Sequence, residues 1–198
     1  HMMNYLFDRF EHNIEQRYWM CWLYGVTYYL PTAWVIWNEF PDFELVGIER
    51  LRQWEIENKS RLRYQSDTKW NRGHLTSMFE SYKSWVGNSS QRDRFNTVIL
   101  ESLGYREVSF NALWREINQK LYKFGRYSTW FYLQSLRDCC NLPIDAPSLM
   151  LHDYSGSKSH RNGLCYALGI DQWVDQKLHI DQITYLEKTA SQQIGRAH

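Results

Sequence analysis

Apolar residues in this chain recur with the period of an α-helix, and no other sequence feature constrains the fold as strongly. The clearest apolar stripe is formed by Phe110, Leu113, Trp114, Ile117 and Leu121. Ser109 precedes this stripe, and serine favours the N-cap position of a helix. Strict apolar/polar alternation is almost absent, and residues 149–151 form the one plausible short strand. The periodicity therefore predicts an all-α fold.

Similar patterns and capping signals predict helices along most of the chain. The predicted segments are 10–24, 32–39, 47–62, 74–86, 91–103, 109–123, 128–140 and 172–188. Gly25 and Pro31 mark breaks between helices. Because no repeat or long linker divides the chain, we expect one helical domain of seven to nine helices over residues 1–198. Residues 1–2 resemble a cloning remnant and 194–198 a translated adapter, so the native C-terminus is expected to be missing.

The four cysteines form no CxxC pair, and the vicinal Cys139-Cys140 pair is a poor zinc frame. Buried thiols in a reducing compartment are the expected state. No signal peptide and no apolar run of the roughly 18 residues that a membrane span needs is present, which predicts a soluble protein without a membrane partner. His74, His152 and His160 show no recurring ligand spacing, so we expect neither a metal site nor a cofactor.

Charge is nearly balanced overall but unevenly placed. The formal net charge of +1 excludes a global basic field. Residues 59–74, however, hold five cations against Asp67 alone: Lys59, Arg61, Arg63, Lys69 and Arg72. A local basic face is therefore predicted. The aromatic share of 17% suits both a large core and a site that stacks on planar ligands.

Two polar segments carry the chemistry. In the first, Gly125 is expected to permit a tight turn between helices, after which the N-terminus of the next helix favours an anion such as a DNA phosphate. In the second, residues 155–163 form an acid-free loop with three potential cations, Lys158, His160 and Arg161, and with small residues that let phosphate approach. Asp153 stands at its entrance as a working base or a member of a structural ion pair. A turn that binds nothing and a solvated surface loop are the alternatives.

The turn Gly125-Arg126-Tyr127-Ser128, followed later by Asp153, resembles the helix-hairpin-helix DNA glycosylase superfamily. In that superfamily a Gly-Arg-Tyr-Thr-like turn opens a helix and an aspartate begins a later basic segment. The intervening stretch, with Pro143 to Pro147, is longer here than is usual in the superfamily. The resemblance implies a helix-hairpin-helix turn near Gly125.

Several blocks more closely resemble phage amino acid:DNA transferases of thymine hypermodification. These blocks are 22–28, 31–34, 64–67, 71–74, 124–134 and 153–163. The resemblance implies an enzyme of the phage-infected bacterial cytoplasm that acts on double-stranded DNA. Its substrate would carry 5-hydroxymethyluracil pyrophosphorylated by a partner DNA-base kinase, and the amine of a free amino acid would displace the pyrophosphate. A sister family makes glutamyl- or putrescinyl-thymine by the same displacement, which leaves the nucleophile open.

This chemistry assigns expected roles to three groups of residues. The base or amino-acid pocket would be lined by Tyr24, Tyr28, Tyr64 and Arg72, with Trp34 as a further aromatic candidate. DNA phosphate and pyrophosphate would be bound by Gly125, Arg126, Ser155, Ser157, Lys158 and Arg161. The amine's proton would be accepted by Asp153, His160 or Asp67. A DNA glycosylase or lyase, a non-catalytic DNA-binding module and a purely structural helical protein remain the alternative functions.

Overall fold

The computed structural model describes residues 5, 8–10, 12–148, 161–163, 166 and 184–189. Within these residues every regular element is helical, which confirms the predicted all-α class. The chain divides into two compact units, His1–Asp145 and Ala146–His198. The expected single domain over 1–198 and the helix-hairpin-helix identity of the turn near Gly125 stay predictions. The predicted strand at 149–151 lies outside the described residues.

The first unit is built from successive helices joined by short turns. They are α1 Ile14–Thr27, α2 Leu30–Glu39, α3 Ile48–Asn58, the 3₁₀ helix η1 Ser66–Asn71, α4 Leu75–Val86, α5 Gln91–Glu101, α6 Arg106–Lys120 and α7 Arg126–Cys140. In the second unit, residues 161–163 and 184–189 are helical. No helix in the described part of the chain is long and apolar enough to cross a membrane.

The predicted break at Gly25 is wrong. Helix α1 continues through Gly25 to Thr27 and ends at Tyr28, which adopts the left-handed conformation with φ 45°. A Cβ atom on Gly25 would lie 3.0 Å from Cβ of Tyr132 in α7. Gly25 is therefore a packing residue that lets α1 and α7 approach closely, and this tertiary contact outweighs the low helix propensity of glycine.

The predicted N-cap at Ser109 is also wrong, because α6 begins three residues earlier, with Tyr105 as its N-cap. Leu103 and Gly104, at φ 57° and 71°, turn the chain from α5 into α6. Ser109 is consequently buried inside the helix. The apolar stripe itself is confirmed, since Phe110, Leu113, Ile117 and Leu121 are buried and Trp114 is half-buried.

Helix α1 forms the centre of the first unit and packs against α2, α5, α7 and η1. It contributes to a fully enclosed group of rings, the aromatic core, which consists of Trp19, Trp22, Phe79, Tyr82 and Tyr132. Trp22 stacks on Tyr82 with 5.1 Å between ring centroids. The Tyr132 hydroxyl donates to the Tyr82 hydroxyl at 3.0 Å, which in turn donates to Oε1 of Gln91 at 2.9 Å. The core thus satisfies these two buried hydroxyls internally.

Two glutamates on other helices cap the N-termini of α4 and α5. Buried Glu55 accepts hydrogen bonds from the backbone N–H groups of Leu75 and Thr76 at 2.7 and 2.9 Å. Glu15 accepts from the backbone of Gln91 at 2.9 Å and of Arg92 at 3.1 Å. The caps satisfy backbone donors that a helix leaves unpaired and fix α4 and α5 against α3 and α1.

The predicted buried thiols are confirmed where the structure describes them. Cys21, Cys139 and Cys140 form no disulfide bond and are buried on α1 and α7, which pack against each other. Burial raises the pKa of the Cys21 thiol well above its usual range. The Cys21 thiol is therefore a protonated packing group rather than a nucleophile. Cys165 lies outside the described residues.

Candidate functional site

The 3₁₀ helix η1 is fixed to the C-terminal end of α1. Thr68 Oγ1 donates to the Thr27 carbonyl at 2.6 Å, and Asn71 Nδ2 donates to the Val26 carbonyl at 2.7 Å. The backbone N–H of Gln65 also reaches the Thr27 carbonyl, at 3.2 Å. A helix leaves its last carbonyls without intrahelical partners, and here the η1 segment satisfies two of them. The end of α1 and the polar residues of η1 are thereby held side by side.

Four half-buried rings, the tyrosine cluster, gather where α1 ends and α7 begins. The cluster consists of Tyr24, Tyr28, Tyr127 and Phe131. Tyr28 stacks on Phe131 with a centroid separation of 3.9 Å and an interplanar angle of 19°. Tyr24 lies 5.3 Å from Tyr28, and Tyr127 lies 6.4 Å from Phe131. The cluster therefore presents aromatic surface that remains partly open to solvent.

The charge of Asp67 acts on this cluster. Burial raises the pKa of Tyr28, and the negative charge of Asp67 raises it further. Burial also raises the pKa of Tyr24, with a smaller contribution from Tyr28. Both phenols are therefore protonated at neutral pH and act as hydrogen-bond donors. Asp67, in the first turn of η1, is exposed.

Tyr64 and Arg72 flank η1 on either side. Burial raises the pKa of Tyr64 strongly, the charge of Glu55 adds to the shift, and nearby Arg72 opposes it. The Tyr64 hydroxyl is buried and makes no hydrogen bond to any residue that the structure describes. Arg72 is exposed. The positive charge of the exposed Arg72 side chain thus acts on the buried Tyr64 phenol.

The turn before α7 differs from the predicted one. Lys123, at φ 59°, takes the left-handed conformation, whereas Gly125 is extended at φ −79°, and a Cβ atom added to it would meet no atom within 4 Å. The turn therefore does not depend on glycine. Gly125 is the N-cap of α7, and Arg126 is the first residue of the helix. Lys123 Nζ donates to the Trp70 carbonyl at 2.7 Å, which joins this turn to η1.

Asp153, Ser155, Ser157, Lys158 and His160 lie outside the described residues. Residues 161–163 are helical, so the predicted loop at 155–163 does not extend to its expected end, and the side chain of Arg161 is buried. Trp34 packs with Trp37 at 5.1 Å and shows no ring contact with the tyrosine cluster. Across the described part of the chain, no group of three or more potential ligands is arranged to hold a metal ion.

The sequence-based prediction missed two aromatic residues of this region. Phe131 lies four residues after Tyr127, a spacing that places both rings on one helix face and that could have indicated their contact. Trp70 is 72% exposed, and Lys69 Nζ lies 4.9 Å from its ring centroid. Its position between Lys69 and Arg72, an aromatic residue among cations, is a pattern typical of nucleic-acid contacts.

The predicted basic segment is exposed and not neutralised by acids. The side chains of Lys59, Arg61, Arg63, Lys69 and Arg72 are all exposed. None of them forms an ion pair with another described residue, whereas Arg50, Arg52, Arg92, Arg94, Arg106 and Arg137 all pair with acids. The positive charge of this segment is therefore available to an anionic partner.

Comparisons with known proteins find one matching family and one similar phage protein, and both are named as transferases of amino acids. A family model described as amino acid:DNA transferase matches residues 1–194. A protein of Salmonella phage ViI named serinyltransferase is 31% identical over 165 residues, which cover 81% of this chain and 39% of that relative. The chain thus spans about two fifths of the relative's length. No solved structure matches.

Proposed function

The chain belongs to the amino acid:DNA transferase family, and on this premise we propose that it transfers an amino acid to an activated thymine-type base in DNA. In the proposed reaction the amine attacks the methylene carbon of pyrophosphorylated 5-hydroxymethyluracil. A carbon–nitrogen bond forms, the carbon–oxygen bond breaks, and pyrophosphate leaves with the bonding electrons. The attacking nitrogen gives its proton to a base on the protein. The pyrophosphorylated base is supplied by a DNA-base kinase, which makes the two activities functionally coupled.

The tyrosine cluster is the proposed contact surface for the target base. A base inside a duplex must leave the stack before its substituent is accessible, at a cost of a few kcal/mol. Stacking on an aromatic ring returns about 1–3 kcal/mol per base. Tyr28, held against Phe131 at 3.9 Å, offers such a ring without further ordering, since its position is already fixed by packing.

Asp67 is the proposed proton acceptor, and the single observation that carries this assignment is the attachment of η1, which holds Asp67, to the last carbonyls of α1 directly before Tyr28. An exposed carboxylate next to a planar aromatic surface can take a proton from an amine that attacks a base stacked there. The protonated Tyr28 phenol can donate a hydrogen bond to a substrate oxygen. Asp153 and His160 remain predicted alternatives for the base, outside the described residues.

The remaining polar groups have proposed binding roles. The N-terminus of α7, at Gly125 and Arg126, would bind a phosphate or the leaving pyrophosphate. Arg72, exposed beside Tyr64, would bind the carboxylate of the amino acid with its planar guanidinium. Additional phosphate contacts from Ser155, Ser157, Lys158 and Arg161 stay predictions from the sequence.

The phage relative suggests which amino acid to test first. That protein is named a serinyltransferase, and its similarity to this chain makes serine the first nucleophile to test. Other amino acids remain open, because the proposed contacts recognise only the amine and the carboxylate that all of them share.

The function is tested by the mass of nucleosides from treated DNA. Duplexes that carry thymine, 5-hydroxymethyluracil or its pyrophosphorylated form are incubated with the protein and with isotope-labelled serine or other amino acids, and then digested to nucleosides. We expect a labelled amino-acid adduct only on the pyrophosphorylated base, with one pyrophosphate released per adduct. Loss of the base would instead identify a glycosylase, and DNA binding without any mass change would identify a non-catalytic module.

A further inference from the structure

Trp70 keeps its large side chain in solvent although the surrounding backbone is firmly held. Its side chain is 72% exposed. Its carbonyl accepts a hydrogen bond from Lys123 Nζ at 2.7 Å, and its neighbour Asn71 is buried and bonded to the Val26 carbonyl at 2.7 Å. The ring is therefore presented by an anchored backbone, and its exposure is not a consequence of a loosely held loop.

Exposing an indole forgoes the stabilisation that its burial would provide. Full burial of a large apolar side chain contributes on the order of 1.5–3 kcal/mol, and this chain buries Trp19 and Trp22 completely. A position that leaves Trp70 outside is thus one where a polar residue would fold equally well. A tryptophan there is best explained by a partner that covers its ring.

The charges around Trp70 indicate what that partner is. Lys69 lies over the indole, with Nζ 4.9 Å from the ring centroid, and both belong to the exposed basic segment at 59–74. Asp67 is the one acid in that segment. An aromatic platform flanked by cations matches a nucleic-acid strand, whose bases stack while its phosphates bind the charges.

We propose that Trp70 stacks on a DNA base that lies outside the double-helical stack, while Lys69 neutralises an adjacent phosphate. This inference rests on the proposed function, because it takes DNA as the substrate. It extends the substrate-binding surface from the tyrosine cluster along η1, since Lys123 links Trp70 to the turn that begins α7. Trp70 is a strand-binding residue in this proposal and takes no part in the chemical step.

The test measures binding of the full chain to a fluorescein-labelled, single-stranded oligothymidine by anisotropy at several salt concentrations. Trp70→Ala should weaken binding about 5- to 150-fold, which corresponds to the roughly 1–3 kcal/mol of base–aromatic stacking. Trp70→Phe should restore most of the affinity, since a ring remains. Tyr105→Ala removes another exposed ring, 66% accessible, and should bind like the wild type.

Salt dependence separates stacking from charge. Trp70→Ala should leave the slope of log affinity against log salt unchanged, because no cation is removed. Lys69→Ala should lower that slope by about 0.7, the value for one phosphate contact on a single strand. Thermal unfolding by circular dichroism verifies that each variant is folded.

Several outcomes would overturn the proposal. They are wild-type affinity in folded Trp70→Ala, an equal loss in Tyr105→Ala, and absence of oligonucleotide binding by the wild type. If Trp70→Ala changes only self-association in sedimentation, the ring belongs to a protein interface and the proposal also fails. Because the assay needs neither amino acid nor activated base, a protein that binds DNA through Trp70 but transfers nothing would refute the proposed function and leave this inference standing.

Discussion

The aromatic core and the tyrosine cluster both contain rings from α1 and α7, but the two groups of rings face different surroundings. In the core, Trp22 and Tyr132 are fully buried between α1 and α7. In the cluster, Tyr28 and Phe131 are half-buried at one end of the same helix pair. The rings that one helix pair contributes to the two groups therefore differ in their access to solvent.

Their hydroxyl groups show what this difference means. Tyr132 and Tyr82 hydrogen-bond within the core, which leaves nothing for a ligand to satisfy. The hydroxyls of Tyr24 and Tyr28 have no hydrogen-bond partner among the residues that the structure describes, and both rings remain partly accessible. The core is accordingly a source of stability, whereas the cluster has unused donors and ring surface for a substrate.

The largest expected effect is on activity, from Asp67→Asn beside the cluster. This change keeps the shape but removes the proton acceptor, so turnover on pyrophosphorylated DNA should fall about 10²–10⁴-fold. The melting temperature should hold, because Asp67 is exposed. Asp93→Asn is the matched control, since Asp93 also lies exposed in the first turn of a helix, α5. Near-normal turnover in a folded Asp67→Asn protein would exclude Asp67 as the base.

Trp22→Ala tests the other side of the comparison. Trp22 is completely buried and stacks on both Trp19 and Tyr82, so its removal leaves a large cavity. We expect a loss of about 3–5 kcal/mol in the free energy of unfolding, measured by urea denaturation. At a temperature where the variant is still folded, its turnover should stay close to that of the wild type. A stable variant with collapsed turnover would mean that the core also serves catalysis.

Alkaline pH should destabilise the protein through its core tyrosines. Burial raises the pKa of Tyr82 and Tyr132 well above the ordinary value of about 10, so the folded protein retains protons that the unfolded chain releases. The contribution of these two protonated phenols to the free energy of unfolding is complete below pH about 10. It decreases as the pH rises beyond that value, by about 1.4 kcal/mol per pH unit for each tyrosine. Urea unfolding at pH values from 9 to 11 measures this slope. Tyr132→Phe should make the dependence of the unfolding free energy on pH shallower. An unchanged slope would show that Tyr132 does not cause the loss of stability at alkaline pH.

The smallest expected effects are on stability, and they distinguish Gly25 in α1 from Gly125 at the start of α7. Gly25→Ala would place Cβ 3.0 Å from Tyr132, and the strain should exceed the gain in helix propensity, for a net loss of about 1 kcal/mol. Gly125→Ala meets open space at an extended backbone and should cost no more than about 0.7 kcal/mol, as a change of N-cap. Thermal melts measure both. If Gly125→Ala proves the more damaging, the turn before α7 is more constrained than its geometry indicates.

Much of the helical framework was predictable because helix formation leaves a local pattern. The stripe from Phe110 to Leu121 correctly identified the buried face of α6, since residues three and four apart share one face of any helix. The boundaries were less predictable. Gly25 was interpreted as a break and Ser109 as a cap, but both lie inside helices, because packing against Tyr132 and the Leu103-Gly104 turn override local preference.

The candidate site was predictable in its members but not in its arrangement. Tyr24, Tyr28, Asp67 and Arg72 were each identified by residue type, yet nothing local relates Asp67 to Tyr28. Their proximity depends on hydrogen bonds from Thr68 and Asn71 to the last carbonyls of α1. Phe131 was missed because its contact with Tyr28 crosses from α7 to α1.

The sequence by itself determined the all-α class, the apolar faces of the helices and the concentration of positive charge at 59–74. Each of these features depends only on residues that are close together in the sequence. Only the tertiary structure decided which aromatic residues are enclosed and which remain accessible. Trp22 and Trp70 are the same residue type, and one is fully buried while the other is 72% exposed. The physical reason is that burial depends on which distant helices cover a side chain, and a residue's own neighbours in the chain do not specify that.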